Sequence, residues 1–170
     1  MLERLTGDVV YSNIATAPEH QLPSAYHSEA DSCVDLGDEE FTKGRLHPMI
    51  DPAVRQLRLL QEAHDPSVAV ILLDIVLGYG SHPDMAGALV PVIAEAKAFA
   101  QSEGRNLSVV ANVVGTDLDP QNSKWQVSRL ERAGVSVWPS NAQAVAFAAL
   151  VARRQNESLR ERLLLGGARR

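Results

Sequence analysis

The chain contains 170 residues, 45% of them hydrophobic, and carries a formal net charge of −5. This length supports one domain that buries roughly two thirds of its unfolded surface, and the negative charge argues against nucleic acid as a partner. No apolar run approaches the ~18 residues that span a bilayer, and the first residues lack the apolar core of a signal peptide, so we expect a cytoplasmic protein without a membrane partner.

The first part of the chain combines an irregular stretch with a short strand pattern. Residues 15–31 hold prolines and histidines without a period, which predicts an irregular loop packed over the domain. A strand is predicted at residues 32–36, and the single cysteine, Cys33, is expected to be a small buried residue of that strand. One cysteine also excludes an internal disulfide and any multi-cysteine metal site.

Two stronger patterns come next. Asp51 and Pro52 are typical of an N-cap followed by a proline at the first helical position, which predicts an amphipathic helix. The apolar residues of this helix are Val54, Leu57, Leu60 and Ala63. The run VAVILLDIV at residues 68–76 is too short for a typical helix, and it predicts a strand buried on both faces, as in a parallel sheet.

The second half of the chain alternates helices and strands. Helices are predicted at residues 84–102, 121–133 and 144–153, and strands at residues 107–113 and 135–138. Their boundary signals are Gly104, the pair Asp119–Pro120, and a capping box at Ser140–Gln143. A last helix is predicted from residue 156 around Leu159, Leu163 and Leu164, fraying into residues 166–170. The alternation predicts an α/β fold with a mostly parallel sheet and right-handed crossovers.

Ligands of such sheets bind outside the carboxyl ends of the strands, where helix amino termini present N–H groups. The sharpest candidate is the segment GYGSHPD at residues 78–84, where Ser81 or His82 is expected to begin the long helix. Gly78 and Gly80 allow close backbone approach, and Tyr79 lies between them, so an anion site and a plain capped turn are both open. His82 is a candidate nucleophile, general acid or base, or cap.

Three further loops contribute candidates. In the loop at residues 37–48, Lys43 and Arg45 are placed to bind a phosphate or carboxylate and His47 is a second candidate catalytic residue, although a solvated loop fits the same composition. Gly115 and Thr116 follow the 107–113 strand and suit a substrate contact or a simple turn. Asn141 follows the last strand.

Metal and nucleotide signatures are not found. His20, His27 and His64 have spacings that form no metal motif, so no metal site is expected. Neither of the common glycine-rich nucleotide-binding loops occurs, so the chain shows no nucleotide-binding module of its own.

The loops, taken in order, resemble the CoA-ligase domain of the succinyl-CoA synthetase superfamily, and most closely the carboxyl-terminal region of FdrA-type proteins. The segments that carry this resemblance are DLGDEEFTKGRLHPMIDP at 35–52, VILLDIVLGYGSHPD at 70–84, VGTD at 114–117 and PSN at 139–141. The resemblance extends from about Val10 to Ala152. It implies a flavodoxin-like three-layer αβα sandwich like the carboxyl-terminal domain of the succinyl-CoA synthetase β subunit.

In that β subunit a glycine-rich loop, matched here by Gly78 to Ser81, directs a helix amino terminus at a phosphohistidine of the α subunit. By this correspondence Gly78, Gly80 and Ser81 would stabilise a phosphoryl or acyl-phosphate group in trans. His82 does not match the phosphohistidine motif. Family domains begin with a strand and helix expected to precede Met1, and residues 1–6 resemble the tail of that helix.

The resemblance also bears on partners. The CoA-binding and ATP-grasp domains of full ligases are not recognised in this chain, so it is expected to bind no cofactor alone and to meet CoA and ATP through partner domains. The expected partners are a small anionic substrate and a complementary FdrA-like, CoA-binding or ATP-grasp subunit, or a second copy. The leading hypothesis is a subunit of an acid–CoA ligase-like, phosphoryl- or acyl-transfer enzyme. The alternatives are a carbamoyltransferase subunit of oxamate or ureide metabolism and a non-catalytic interaction domain.

Overall fold

A computed structural model of the protein describes the backbone of residues 1–166 and the side chains of residues 1–154. Its strands are β1 (Val10–Ser12), β2 (Asp31–Cys33), β3 (Val70–Val76), β4 (Ser108–Val114) and β5 (Ser136–Trp138). Its helices are α1 (Leu2–Thr6), α2 (Glu39–Thr42), α3 (Ala53–His64), α4 (Met85–Ser102), α5 (Ser123–Arg132) and α6 (Asn141–Gly166). The four predicted strands are confirmed, and β1 is an additional one.

All pairs among these strands are parallel, but the strands form two sheets. One sheet contains β1 and β2, and the other has the order β3–β4–β5. The predicted α/β fold with parallel strands is therefore confirmed. The division between β2 and β3 was not predicted, because strand patterns in a sequence do not say which strands pair.

Helices cover both faces of the larger sheet and produce the three-layer, flavodoxin-like architecture. Neighbouring β4 residues point to opposite faces: Val109 packs with α3, α4 and α5, whereas Val110 packs with Ala144 and Ala148 of α6. Both layers are closed with apolar side chains, as a parallel sheet requires. The larger core includes Leu59, Ile75, Met85, Leu89, Ile93 and Leu130, each at most 2% exposed.

The segment between β1 and β2 is largely irregular, as predicted, with one 3-10 turn at Pro18–His20. It is held on α3 by Arg58, which donates to the Ala25 carbonyl and the Ser28 hydroxyl, both at 2.8 Å, while it pairs with Glu62. These contacts explain how a stretch without regular backbone hydrogen bonding packs over the domain.

Several predicted boundaries and faces need correction. α5 begins at Ser123, not at residue 121, because Asn122 accepts the cap bond from the Trp125 N–H at 3.0 Å. The two helices predicted after Ser140 are one helix, α6, and the part of the predicted fraying end at residues 167–170 lies outside the described residues. On α3, Leu57 is 66% exposed and Leu59 is buried instead.

The prediction for Cys33 was wrong. Its thiol is exposed because β2 borders the open space that separates the two sheets. The pKa of the thiol is raised by partial burial and by the negative charges of Asp74 and Asp35. Carboxylates from both sides of that space, Asp35 after β2 and Asp74 of β3, thus act on the pKa of the cysteine.

Asn112 of β4 provides a test of the packing on the α6 side of the sheet. It is 3% exposed, and its Oδ1 has no hydrogen-bond partner within the described residues. We expect Asn112→Val to raise the free energy of unfolding by about 1–2 kcal/mol, because an unpaired buried acceptor is costly and valine suits a strand. Urea denaturation measures the change.

Ser108→Val, at the first residue of the same strand, is the matched control and should change stability by about 0.5 kcal/mol or less. If Asn112→Val lowered the free energy of unfolding instead, the Asn112 amide would have to form a hydrogen bond that stabilises the folded protein.

Candidate functional site

The loops after the strands form a continuous rim. His82 N–H, after β3, donates to the Met49 carbonyl at 2.7 Å, which ties this loop to the one after β2. Gln121, after β4, accepts from Gly78 N–H at 3.1 Å and donates back to the Gly78 carbonyl at 2.8 Å. The predicted candidates after β2, β3 and β4 are thus brought together.

The Gly78–Ser81 turn is open and partly unbonded. Gly78 and Gly80 have φ values of 132° and 107°, which favour glycine, and a Cβ at either position would meet no atom within 4 Å. Tyr79 is 86% exposed. Among the described residues, the N–H groups of Tyr79 and Gly80 have no hydrogen-bond partner, whereas Ser81 N–H donates to Gly78. The turn therefore has two backbone donors without a partner among the described residues.

The ring of His82 is held in one orientation by the backbone. Asp84 N–H donates to His82 Nδ1 at 3.0 Å, so Nδ1 is an acceptor and a neutral ring carries its proton on Nε2. Nε2 has no partner among the described residues. A phosphoryl-accepting histidine needs an available ring lone pair, and here the Nδ1 lone pair is engaged. The geometry favours a hydrogen-bond or proton donor over a nucleophile.

The start of α4 differs from the prediction. The helix begins at Met85 with Asp84 as its N-cap, rather than at Ser81 or His82. Asp84 accepts from Gly87 N–H at 2.9 Å and forms an ion pair with Arg129, while Gln126 accepts from Ala86 N–H at 2.8 Å. The chain's own side chains thus occupy the Ala86 and Gly87 N–H groups in the first turn of α4, which leaves the preceding turn as the better place for an anion.

The loop after β4 is closed on itself. Thr116 N–H and hydroxyl both donate to the Asp119 carboxylate, at 2.6 and 3.2 Å. Gly115 lies so close to Leu77 that a Cβ there would be 2.7 Å from the Leu77 Cβ. Gly115 and Thr116 therefore make the contacts of a structural turn. Both hydrogen-bond donors of Thr116 are already bonded to Asp119.

The three candidate residues of the loop after β2 lie in two different environments. Lys43 and Arg45 are exposed and form no ion pair among the described residues, so their charges are available to a ligand. His47 accepts from Met49 N–H through Nδ1 at 3.2 Å, the same arrangement as His82, and its ring lies against Gly37. His47 therefore borders the space between the sheets.

Asn141 is exposed at the start of α6 and donates to Asp74 Oδ1 at 3.0 Å. The backbone carbonyl of Asp74 accepts from the Arg55 guanidinium, whose pKa is lowered by burial and raised in part by the Asp74 charge. Sequence reasoning missed Asp74 and Arg55. A carboxylate inside an otherwise apolar strand was the available signal for Asp74, whereas Arg55 and Gln121 are recognisable only from tertiary contacts.

Neither a metal-ligand cluster nor a membrane-spanning helix occurs among the described residues. No three His, Cys, Asp or Glu side chains gather there in a way that could hold a metal ion. None of the helices in that part of the chain is long and apolar enough to cross a membrane.

Comparison with known proteins gave two findings. The model of the CoA-ligase family matches residues 8–151. The uncharacterized protein YahF of Escherichia coli (strain K12) is 50% identical over 129 residues. The alignment covers 76% of this chain and 25% of YahF, so the chain spans about a quarter of the length of that relative.

Proposed function

Since this chain belongs to the CoA-ligase family, we propose that it is one component of an FdrA-type acid–CoA ligase-like enzyme and binds a phosphate-bearing intermediate at the Gly78–His82 turn. In this proposal residues 1–170 are a single CoA-ligase-like domain. The supporting observation is the pair of unbonded N–H groups, Tyr79 and Gly80, in an open left-handed turn at the strand ends.

The donors of the turn suit a phosphoryl group. Backbone N–H groups that are already oriented stabilise negative charge without reorganising, which is the basis of electrostatic stabilisation in acyl and phosphoryl transfer. His82 adds a third donor through Nε2, because Asp84 N–H occupies Nδ1. Gln121 holds the turn by bonding both the N–H and the carbonyl of Gly78. The turn therefore binds charge, and the reacting groups come from elsewhere in the assembly.

The turn offers only these few donors, so the proposal places one anionic group there and no nucleotide. CoA and ATP are therefore proposed to be bound by a complementary FdrA-like, CoA-binding or ATP-grasp partner. The family match supports acid–CoA ligase chemistry and gives no support to carbamoyl transfer.

Thermal unfolding with inorganic phosphate or acetyl phosphate tests the proposal. A ligand at a hundredfold excess over its Kd stabilises the folded state by about 2.7 kcal/mol, which corresponds to several degrees in Tm for a chain of this size. We expect Gly80→Ala to abolish most of this shift, because a side chain at φ 107° distorts the turn. Potassium chloride at equal ionic strength is the solvent control.

Gly104→Ala is the matched variant. Gly104 has φ 71° and no atom within 4 Å of a Cβ, so it shares the backbone strain but lies after α4, away from the turn. Its Tm should fall while the phosphate shift is retained. Equal phosphate shifts in the two variants would reject the turn as the binding site.

A further inference from the structure

Three polar side chains form a row across the larger sheet, near the carboxyl ends of its strands. Asp74 of β3 is the register partner of Asn112 of β4, which is in turn the register partner of Trp138 of β5. The row lies on the α6 face of the sheet, because side chains two residues apart share a face and both Leu72 and Val110 belong to the α6 layer. These three residues are here called the polar row.

The polar row contains two buried atoms without a hydrogen-bond partner. Asn112 Oδ1 and Trp138 Nε1 have none among the described residues, and Asn112 is only 3% exposed. The amide oxygen only accepts and the indole N–H only donates, so a hydroxyl, which does both, complements the pair. Departures from full pairing concentrate at functional sites, where a ligand supplies the missing partner.

The first turn of α6 lies over the polar row. Asn141 Nδ2 donates to Asp74 Oδ1 at 3.0 Å, and among the described residues this is the one side-chain hydrogen bond from the turn to the sheet. The N–H groups of Asn141 and Ala142 have no partner in the described part of the chain. Because α6 has 26 residues, its dipole adds partial positive charge at this end. The turn therefore offers two donors to an anionic group beside the buried pair.

We propose that the polar row and the first turn of α6 bind a small monocarboxylate that carries a hydroxyl on the carbon next to its carboxylate. The hydroxyl donates to Asn112 Oδ1 and accepts from Trp138 Nε1, and the carboxylate accepts from the N–H groups of Asn141 and Ala142. A second carboxylate on the ligand would be repelled by Asp74, which disfavours dicarboxylates.

Entry of the ligand requires the first turn of α6 to move away from the sheet, because both unpaired atoms are buried. The movement breaks the bond between Asn141 and Asp74 and leaves the following turns of α6, where Ala144 and Ala148 pack on Val110, in place. This site is separate from the turn that is proposed to bind phosphate, and it does not depend on the function proposed above.

The indole N–H of Trp138 reports directly on the site. The chain has two tryptophans, so Trp125→Phe leaves the Trp138 indole as a single resonance in a ¹H–¹⁵N spectrum. With glycolate as the probe, we expect a saturable shift of this resonance and a rise in Tm relative to sodium chloride at equal ionic strength. Methoxyacetate, which lacks the hydroxyl proton, should bind roughly tenfold more weakly or worse, because Asn112 Oδ1 then stays buried and unpaired.

Two variants of the same strand, both in the Trp125→Phe background, provide the matched comparison. Asn112→Val removes the acceptor and should abolish the glycolate shift in a protein that is folded and more stable, whereas Ser108→Val, four residues earlier on the same face, should retain it. The proposal is overturned if glycolate leaves the Trp138 resonance unchanged, if methoxyacetate binds equally well, or if Asn112→Val responds like the parent. The effect of phosphate on Tm is measured separately with Gly80→Ala, so either proposal can fail without the other.

Discussion

Gly115→Ala is expected to lower the free energy of unfolding by about 2–3 kcal/mol, the upper part of the range for overpacking a well-filled site. A Cβ at this position would lie 2.7 Å from the Cβ of Leu77, which is 8% exposed, and 3.0 Å from the Asp119 carboxylate. The β3 and β4 ends would have to separate, and the Leu77 N–H bond to the Val114 carbonyl would weaken. Urea denaturation, monitored by tryptophan fluorescence, measures the loss.

Gly44→Ala is the matched control for this effect. Gly44 has φ 72° with no atom within 4 Å of a Cβ, so alanine there costs only the backbone term of about 1–2 kcal/mol. If Gly115→Ala were no less stable than Gly44→Ala, a Cβ at position 115 would fit beside Leu77 without overpacking. If it then also lost the phosphate shift, Gly115 would be a ligand contact rather than a packing glycine.

Gly87→Ala is expected to destabilise the protein by about 1–3 kcal/mol, although alanine normally favours a helix interior by up to ~1 kcal/mol over glycine. The sign reverses because a Cβ at Gly87 would lie 2.1 Å from Asp84 Oδ2. The carboxylate would have to leave its position and give up its cap bond and its ion pair with Arg129. Thermal and urea unfolding of the variant measure the effect.

A double-mutant cycle identifies the cause. In an Asp84→Ala background the carboxylate is gone, so Gly87→Ala should become neutral or stabilising there. If Gly87→Ala costs the same in both backgrounds, the overlap with Asp84 is not its cause. The cycle also tests whether Asp84 clamps α4 to α5, a role in which its carboxylate occupies the Gly87 N–H of α4.

Much of the fold was predictable from local patterns. The strands predicted at 68–76 and 107–113 became β3 and β4, because unbroken aliphatic runs of that length have few other ways to bury their side chains. The signals at Asp51 and Ser140 each mark a helix start, since Asp51 accepts from Ala53 N–H and Ser140 from Gln143 N–H, although the N-cap of α3 is Pro52 and not Asp51 as predicted. Such caps act within one turn of chain, so no distant contact can easily override them.

Two errors came from groups whose partners lie far along the chain, whereas the error at Asp119 is local, because its carboxylate bonds Thr116 three residues earlier instead of opening a helix. Gln121 was expected to be helical but braces the distant Gly78 turn. Ser81 or His82 was expected to begin α4. Asp84 is the N-cap instead, because Gln126 and Arg129 of α5 bind its carboxylate. The sequence contains these residues without indicating that they meet.

The sequence by itself determined the fold class, the alternation of the four predicted strands with helices, and the loops on which the candidate residues lie, because hydrophobic period and caps are local properties. Only the tertiary structure decided that the strands form two sheets with open space between them, that His82 is oriented by Asp84 N–H, and that Cys33 is exposed. These depend on which edges meet, and that is settled by packing between residues far apart in the chain.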